Sequence, residues 1–178
     1  VNPIVVLIIA AGVAAAQSPV DGFDGTVDAL RRGIAAQQHH DAKGVAQAAR
    51  ILAAVGAHNE EGTPAFVAEG TTSTMRQGTV PPPFRNRALG PGYRLIDLPS
   101  GGSARFDQTF LAGQSARVAV VPLGRGGFGL AVQDEDGPVC AITNNPSFCN
   151  WIPVATSRVR IEITNRSTAK ASFYLVVR

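Results

Sequence analysis

Charge is scarce in this chain. Asp, Glu, Lys and Arg make up 16% of its 178 residues, against about 25% in an average soluble protein. Lysine occurs only as Lys43 and Lys170, and the net charge of +3 comes from scattered arginines rather than a basic run. That pattern excludes the clustered basic face on which nucleic-acid binders depend. Histidine is confined to His39, His40 and His58, so a Ser-His-Asp site in the second half would have to borrow its base from the first. The two cysteines, Cys140 and Cys149, form no C-x-x-C motif, which argues against a redox pair and fits one structural disulfide in an oxidising compartment.

No stretch reaches the ~20 apolar residues of a comfortable transmembrane helix. The run Ile4–Ala16, IVVLIIAAGVAAA, has the length of a signal-peptide apolar core and ends in an A-x-A pattern before Gln17. No Lys or Arg precedes it. The expectation is a signal peptide over 1–16 and a periplasmic or secreted product with no stable membrane span after cleavage; the alternatives are a retained anchor and, last because the run lacks an amphipathic period, a buried core helix.

What is abundant is turn chemistry. The 19 glycines and 12 prolines concentrate between Gly62 and Gly137, which favours short strands over long helices. Ahead of them lie two helical patterns. Phe23, Val27, Leu30 and Ile34 recur at helical spacing behind Asp21 or Asp24 as cap, with Gly33 weakening the helix by roughly 1 kcal/mol relative to Ala. A second helix is expected over Ala42–Ala57, with Val45, Ala48, Ala49, Leu52 and Val55 on one stripe. The resulting helical hairpin, 17–58, is too short to stand alone; it is expected to pack on the rest of the chain or on a partner. A Pro/Gly-rich linker follows over 59–90, with Pro81-Pro82-Pro83 and one short strand at Ala65–Glu69.

From residue 91 to 178 the apolar period becomes two. Candidate strands are Tyr93–Leu98, Ala104–Phe110, Arg117–Val121, the stretch carrying Phe128, Leu130 and Val132, Val139–Thr143, Cys149–Ile152, Ser157–Thr164 and Ala171–Val177. About eight short strands at roughly ten-residue spacing predict a mainly β fold, an antiparallel β-sandwich of jelly-roll type. Val118 and Val120, Val159, Ile161 and Ile163, and Phe173, Leu175 and Val177 point inward. Cys140 and Cys149 are expected to pin a β-hairpin, with Asn144–Phe148 as its turn.

Residues 114–177 resemble the pre-peptidase C-terminal type of bacterial β-sandwich. The resemblance rests on Leu130-x-Val132-x-Asp134-x-x-Gly137, Cys140 and Cys149, Trp151-x-Pro153, the Val159/Ile161/Ile163 strand ending at Asn165, and Tyr174-x-Val176. It implies an accessory or stand-alone role beside secreted enzymes; some such modules bind calcium or collagen.

Candidate chemistry is sparse. Asp134, Glu135 and Asp136 place three carboxylates in one turn, the only candidate metal site of note, for calcium, which takes six to eight oxygen ligands; Asn144 and Asn145 are possible co-ligands across the hairpin. No other cofactor is expected. His39, His40 and His58 with Asp41, Glu60 and Glu61 make a second metal-like grouping that reads better as a hydrophilic helix end. Gly113-Gln114-Ser115-Ala116-Arg117 starts like a nucleophile elbow, but its last glycine is missing and it sits between strands. Arg76, Arg85, Arg87, Arg94 and Arg105 tilt the middle of the chain basic, towards anionic lipid or polysaccharide or simply towards solvent. Trp151, Tyr93 and Tyr174 suit a sugar platform, although a Trp just past a disulfide commonly packs against it. The sequence therefore predicts a non-enzymatic binding or accessory module for an envelope protein or polysaccharide. The alternatives are a calcium-stabilised adhesion module and a secreted hydrolase using Ser115.

Overall fold

The computed structural model describes residues 21–60, 62, 65, 66, 90–143 and 147–178. The apolar run Ile4–Ala16, most of the expected linker, and Asn144 and Asn145 lie outside them.

Both helices start where an aspartate can satisfy free backbone N–H groups. Asp21 caps α1 (Gly22–Gln38), accepting from Phe23 N at 3.2 Å. Asp41 caps α2 (Ala42–Ala54), accepting from Lys43 N at 3.1 Å and Gly44 N at 3.0 Å. The second helix ends before the expected Ala57. Gly56 takes φ +70°, Ala57 N donates to Leu52 O at 2.9 Å and Gly56 N to Ala53 O at 3.2 Å, a Schellman closure that uses the glycine's freedom to reverse the chain.

Among the described residues nine strands follow: β1 (His58–Asn59), β2 (Gly92–Leu98), β3 (Ser103–Phe110), β4 (Ala116–Pro122), β5 (Phe128–Asp134), β6 (Gly137–Ile142), β7 (Ser147–Trp151), β8 (Ser157–Asn165) and β9 (Ala171–Val177). One sheet has the order β1-β2-β9-β4-β7 and the other β3-β8-β5-β6. Leaving aside the two-residue β1, which runs parallel to β2, the remaining pairs are antiparallel and the order is that of a jelly roll. All eight expected strands are present. Of the strand expected at Ala65–Glu69, Ala65 and Phe66 are described and neither is in a strand; Phe66 is instead buried against α1.

The inner layer is what the period-two stripes require. Val118, Val120, Phe173 and Leu175 of the five-stranded sheet meet Phe128, Leu130, Val132, Val159, Ile161 and Ile163 of the four-stranded one. The rings of Phe128 and Phe173 lie 4.7 Å apart at its heart. At one end of the barrel-like interior, fully buried Asn165 donates from Nδ2 to the carbonyls of Leu98 (3.2 Å), Pro99 (2.9 Å) and Ala169 (2.9 Å). It thereby ties the β2–β3 turn to the β8–β9 turn.

A third layer covers the outer face of the five-stranded sheet. Phe23, Val27, Leu30 and Ile34 of α1, with Ala48 and Leu52 of α2, pack on Tyr93, Ala119, Val121, Tyr174 and Val176. Gly33, which costs α1 helix propensity, has a packing reason: a β-carbon there would overlap the ring of Phe66. Gly33→Ala should therefore lower the melting temperature, with overpacking of about 1–3 kcal/mol outweighing the helix-propensity gain of about 1 kcal/mol. A thermal melt that rose would mean Phe66 does not sit on α1.

Candidate functional site

The two cysteines are joined, with Cα atoms 6.3 Å apart, but not within a hairpin. β6 and β7 are edge strands of different sheets, so the bond crosses the sandwich rather than a strand pair. The expected hairpin is corrected for a burial reason. Cys149 and Trp151 alternate into the core as the continuation of β4's inner face, pairing Cys149 with Val118 and Trp151 with Ala116. Pairing β7 with β6 would leave that edge of β4 without a partner. Among the described residues the hairpin between consecutive long strands is β5–β6, closed at Asp134–Gly137 with a bulge between Val132 and Gln133.

Trp151 packs edge-on to Phe110, with centroids 4.8 Å apart, and Tyr93 packs edge-on to Tyr174 at 6.0 Å beneath the helices. These aromatics lie on opposite faces of the sheet and build no sugar platform. Burial, followed by the neighbouring Tyr93, pushes the Tyr174 phenol above its ordinary pKa; its hydroxyl donates to Ala65 O at 3.1 Å.

The acidic turn is engaged in its own backbone. Asp134 Oδ1 accepts from Asp136 N at 3.0 Å, and Gly137 supplies a φ of +130°. A shallow depression beside it is lined by Asp107, Gln133, Asp134, Glu135, Arg158 and Arg160, so two arginines share it with the carboxylates, and both lie 3.8 Å from Asp107. Among the described residues no group of three or more His, Cys, Asp or Glu side chains is placed to hold a metal ion, around this turn or around His39, His40 and His58.

Ser115 Oγ donates to Asn150 Oδ1 at 3.3 Å. His58 sits on β1, three strand positions from β4 in sheet order, or about 14 Å at the usual strand spacing. His39 and His40 follow the C-terminus of α1, roughly 25 Å along the helix from its N-terminal turn, which is the end that meets Arg117. The histidines are thus too distant to serve Ser115 as a base, and the sequence's candidate nucleophile has an amide for its neighbour.

Arg94 and Arg105 are ion-paired. Arg94 Nε donates to Glu60 Oε2 at 2.7 Å, and its guanidinium lies 5.1 Å over the Phe106 ring. Arg105 Nη2 reaches Glu162 Oε1 at 3.2 Å. With Ile161, Leu175 and Val177 as floor, these side chains line an opening of about 350 Å³ between β2 and β3. Arg76, Arg85 and Arg87 lie outside the described residues.

The residue that sequence reasoning missed is Arg117. It stands on β4 beside Ala119 and Val121, on the face the helices cover, with its side chain only 11% exposed. Nη1 donates to Asp21 Oδ2 at 2.7 Å, and Nη2 to Asp24 Oδ1 at 2.6 Å with Nη1 to Asp24 Oδ2 at 3.2 Å, a bidentate fork. The guanidinium lies 4.4 Å from the Phe23 ring centroid and 5.5 Å from that of Phe148. Arg178 also pairs with Asp21. Asp21 and Asp24 thus serve the helix N-terminus and anchor it to the sheet. The signal was available in principle: a strand apolar on both faces with one arginine, and two aspartates in a first helical turn.

The least satisfied surface is apolar. Leu111 is 51% exposed, Ile152 65% and Val154 100%. They sit on the β3–β4 and β7–β8 connections, which are held together by Gly113 N to Pro153 O at 2.9 Å and Ala112 N to Thr156 Oγ1 at 3.0 Å. Two loops that would otherwise move independently form one end surface beside the Phe110–Trp151 pair.

No protein-family model and no curated protein matches the sequence. Among solved structures the chain is similar to a Yersinia pseudotuberculosis-derived mitogen, at 11% identity over 49% of this chain and 84% of that one, TM-score 0.43. It is similar to Aeromonas hydrophila PliG, a periplasmic inhibitor of g-type lysozyme, at 11% identity over 49% and 83%, TM-score 0.42. The pre-peptidase C-terminal domain of a Bacillus anthracis collagenase is also similar, at 11% identity over 47% and 87%, TM-score 0.38. The module type that residues 114–177 resemble is thus among the similar structures.

Two substitutions probe the clasps. Arg117→Met should destabilise the fold by about 2–4 kcal/mol, below the upper range for a fully buried pair because Asp21 and Asp24 retain solvent; a denaturant midpoint unchanged from wild type would contradict this. Replacing both Cys140 and Cys149 with Ser should cost on the order of 2–3 kcal/mol, measured as the same loss on reduction of the wild-type protein.

Proposed function

We propose that this chain is an extracytoplasmic, non-catalytic β-sandwich module that binds an envelope protein through the end formed by Leu111, Ile152 and Val154. The observation that carries the reading is the exposure of three aliphatic side chains on two loops fixed to each other by hydrogen bonds. Single exposed apolar residues are ordinary, whereas several on loops that hydrogen bonds hold together favour an interaction surface. The disulfide supports an oxidising compartment. Among the described residues, no helix is long and apolar enough to cross a membrane.

A protein partner is favoured over a polysaccharide. Aliphatic side chains gain by burial against apolar protein surface. The groups a glycan would use are engaged elsewhere: Tyr93, Tyr174 and Trp151 in packing, Arg94 and Arg105 in ion pairs.

The test uses the tagged full chain as bait for envelope extract, beside an Ile152→Asp/Val154→Asp variant and a Leu95→Asp control on the far side of the same sheet. The end variant should recover its protein partner at least about tenfold less, with the melting temperature unchanged and the control unaffected. Equal recovery by all three baits, or recovery of polysaccharide alone, would overturn the reading.

A further inference from the structure

Among the described residues the five-stranded sheet stops at β7, and the direction of β7's backbone groups follows from its neighbours. Arg117 N donates to Arg178 O at 2.8 Å and Arg178 N to Arg117 O at 2.9 Å, so Arg117 spends both backbone groups on the β9 side. In an antiparallel ladder the direction alternates by residue. Val118 therefore turns its pair towards β7, where it meets Cys149. Cys149 points back at β4, and the N–H and C=O of Phe148 and Asn150 point out of the sheet at its free edge.

Edge strands are normally guarded by charge, proline, bulges or brevity. The other edges follow this rule. β3 carries Arg105 and Asp107, β6 carries Pro138 beside the bulge at Val132/Gln133, and β1 is two residues long. β7, Ser147–Trp151, has no charged residue and no proline. Phe148 is 41% exposed, on the outer face of the sheet beside Phe23. An unguarded edge of this kind is a template for strand pairing.

We propose that β7 pairs antiparallel with β7 of a second copy, across a two-fold axis at Cys149, to give a homodimer with a continuous sheet. The edge is self-complementary. Placing Phe148 opposite the partner copy's Asn150, and the reverse, closes four N–H···O=C bonds, two from each symmetry-related pair. The two Phe148 rings become diagonal neighbours on the outer face, within reach of each other. Each chain carries a net charge of +3, and β7 lets two copies meet without opposing like charges within the strand. The side-on edge is separate from the end surface formed by Leu111, Ile152 and Val154.

The test is the mass of the full chain by size-exclusion chromatography with light scattering, beside Asn150→Pro and Asn150→Lys. Proline removes an outward N–H without touching the β4 ladder, and lysine adds the missing edge charge. The wild type should elute at twice 18.5 kDa at about 100 μM, and both variants should halve that mass. Should Asn150→Pro fail to fold, Asn150→Lys decides, since its side chain is exposed. A wild type of single-chain mass, which would leave the edge to another protein's strand, or a folded variant that keeps the doubled mass, overturns the proposal. Neither result bears on partner capture by the end surface.

Discussion

A sheet with apolar side chains on both faces has to be covered twice, and that requirement organises this molecule. β4 reads ARVAVVP and β9 reads ASFYLVV. One alternating set, Val118, Val120, Phe173 and Leu175, belongs to the sandwich interior. The other, Ala119, Val121, Tyr174 and Val176, needs a second cover. The helical hairpin supplies it, and neither partner is stable exposed, since a short amphipathic helix pair gains most of its stability from packing. Arg117 is the polar interruption on the covered face. A guanidinium taken out of water needs matching charge, and the first turn of α1 brings two carboxylates that the helix N-terminus already favours. Capping, charge pairing and layer packing therefore meet at one residue.

The same logic picks out the proposed binding surface by what remains open. The disulfide fastens one long side of the sandwich, at β6 and β7. Arg94 over Phe106 spans the opposite side, at β2 and β3. Asn165 ties the turns at one end. At the other end the β3–β4 and β7–β8 loops are joined by hydrogen bonds, yet their aliphatic side chains stay in solvent. Rigid loops at the end of a rigid sandwich are a common way to carry recognition. Nothing in the inner core asks for Leu111, Ile152 or Val154 to be apolar.

Much of the fold was legible residue by residue. The eight strands followed from period two, because alternate side chains must separate into a buried and a wet set. The start of α1 followed from an aspartate able to satisfy free N–H groups; the matching Asp41 cap of α2 came from the structure. The site was less legible. Asp134, Glu135 and Asp136 looked like a cation loop because three carboxylates are adjacent in sequence; in space Asp134 accepts from its own turn, and Arg158 and Arg160 share the neighbouring depression. Trp151, Tyr93 and Tyr174 looked like one platform because aromatic residues are few, yet the sheet divides them between its two faces.

By itself the sequence determined the local choices: which residues form strands, where α1 and α2 begin, which side chains face inward, and that two cysteines in one short stretch could be joined. These depend on period, capping and propensity, all carried by neighbours along the chain. Only the tertiary structure decided that β6 and β7 lie in different sheets, that Arg117 is buried against Asp21 and Asp24, and that Ser115 lies far from the histidines. Strand alternation specifies a face but not the strand alongside. That partner is set by which arrangement buries every stripe at once, and it is a property of the whole chain.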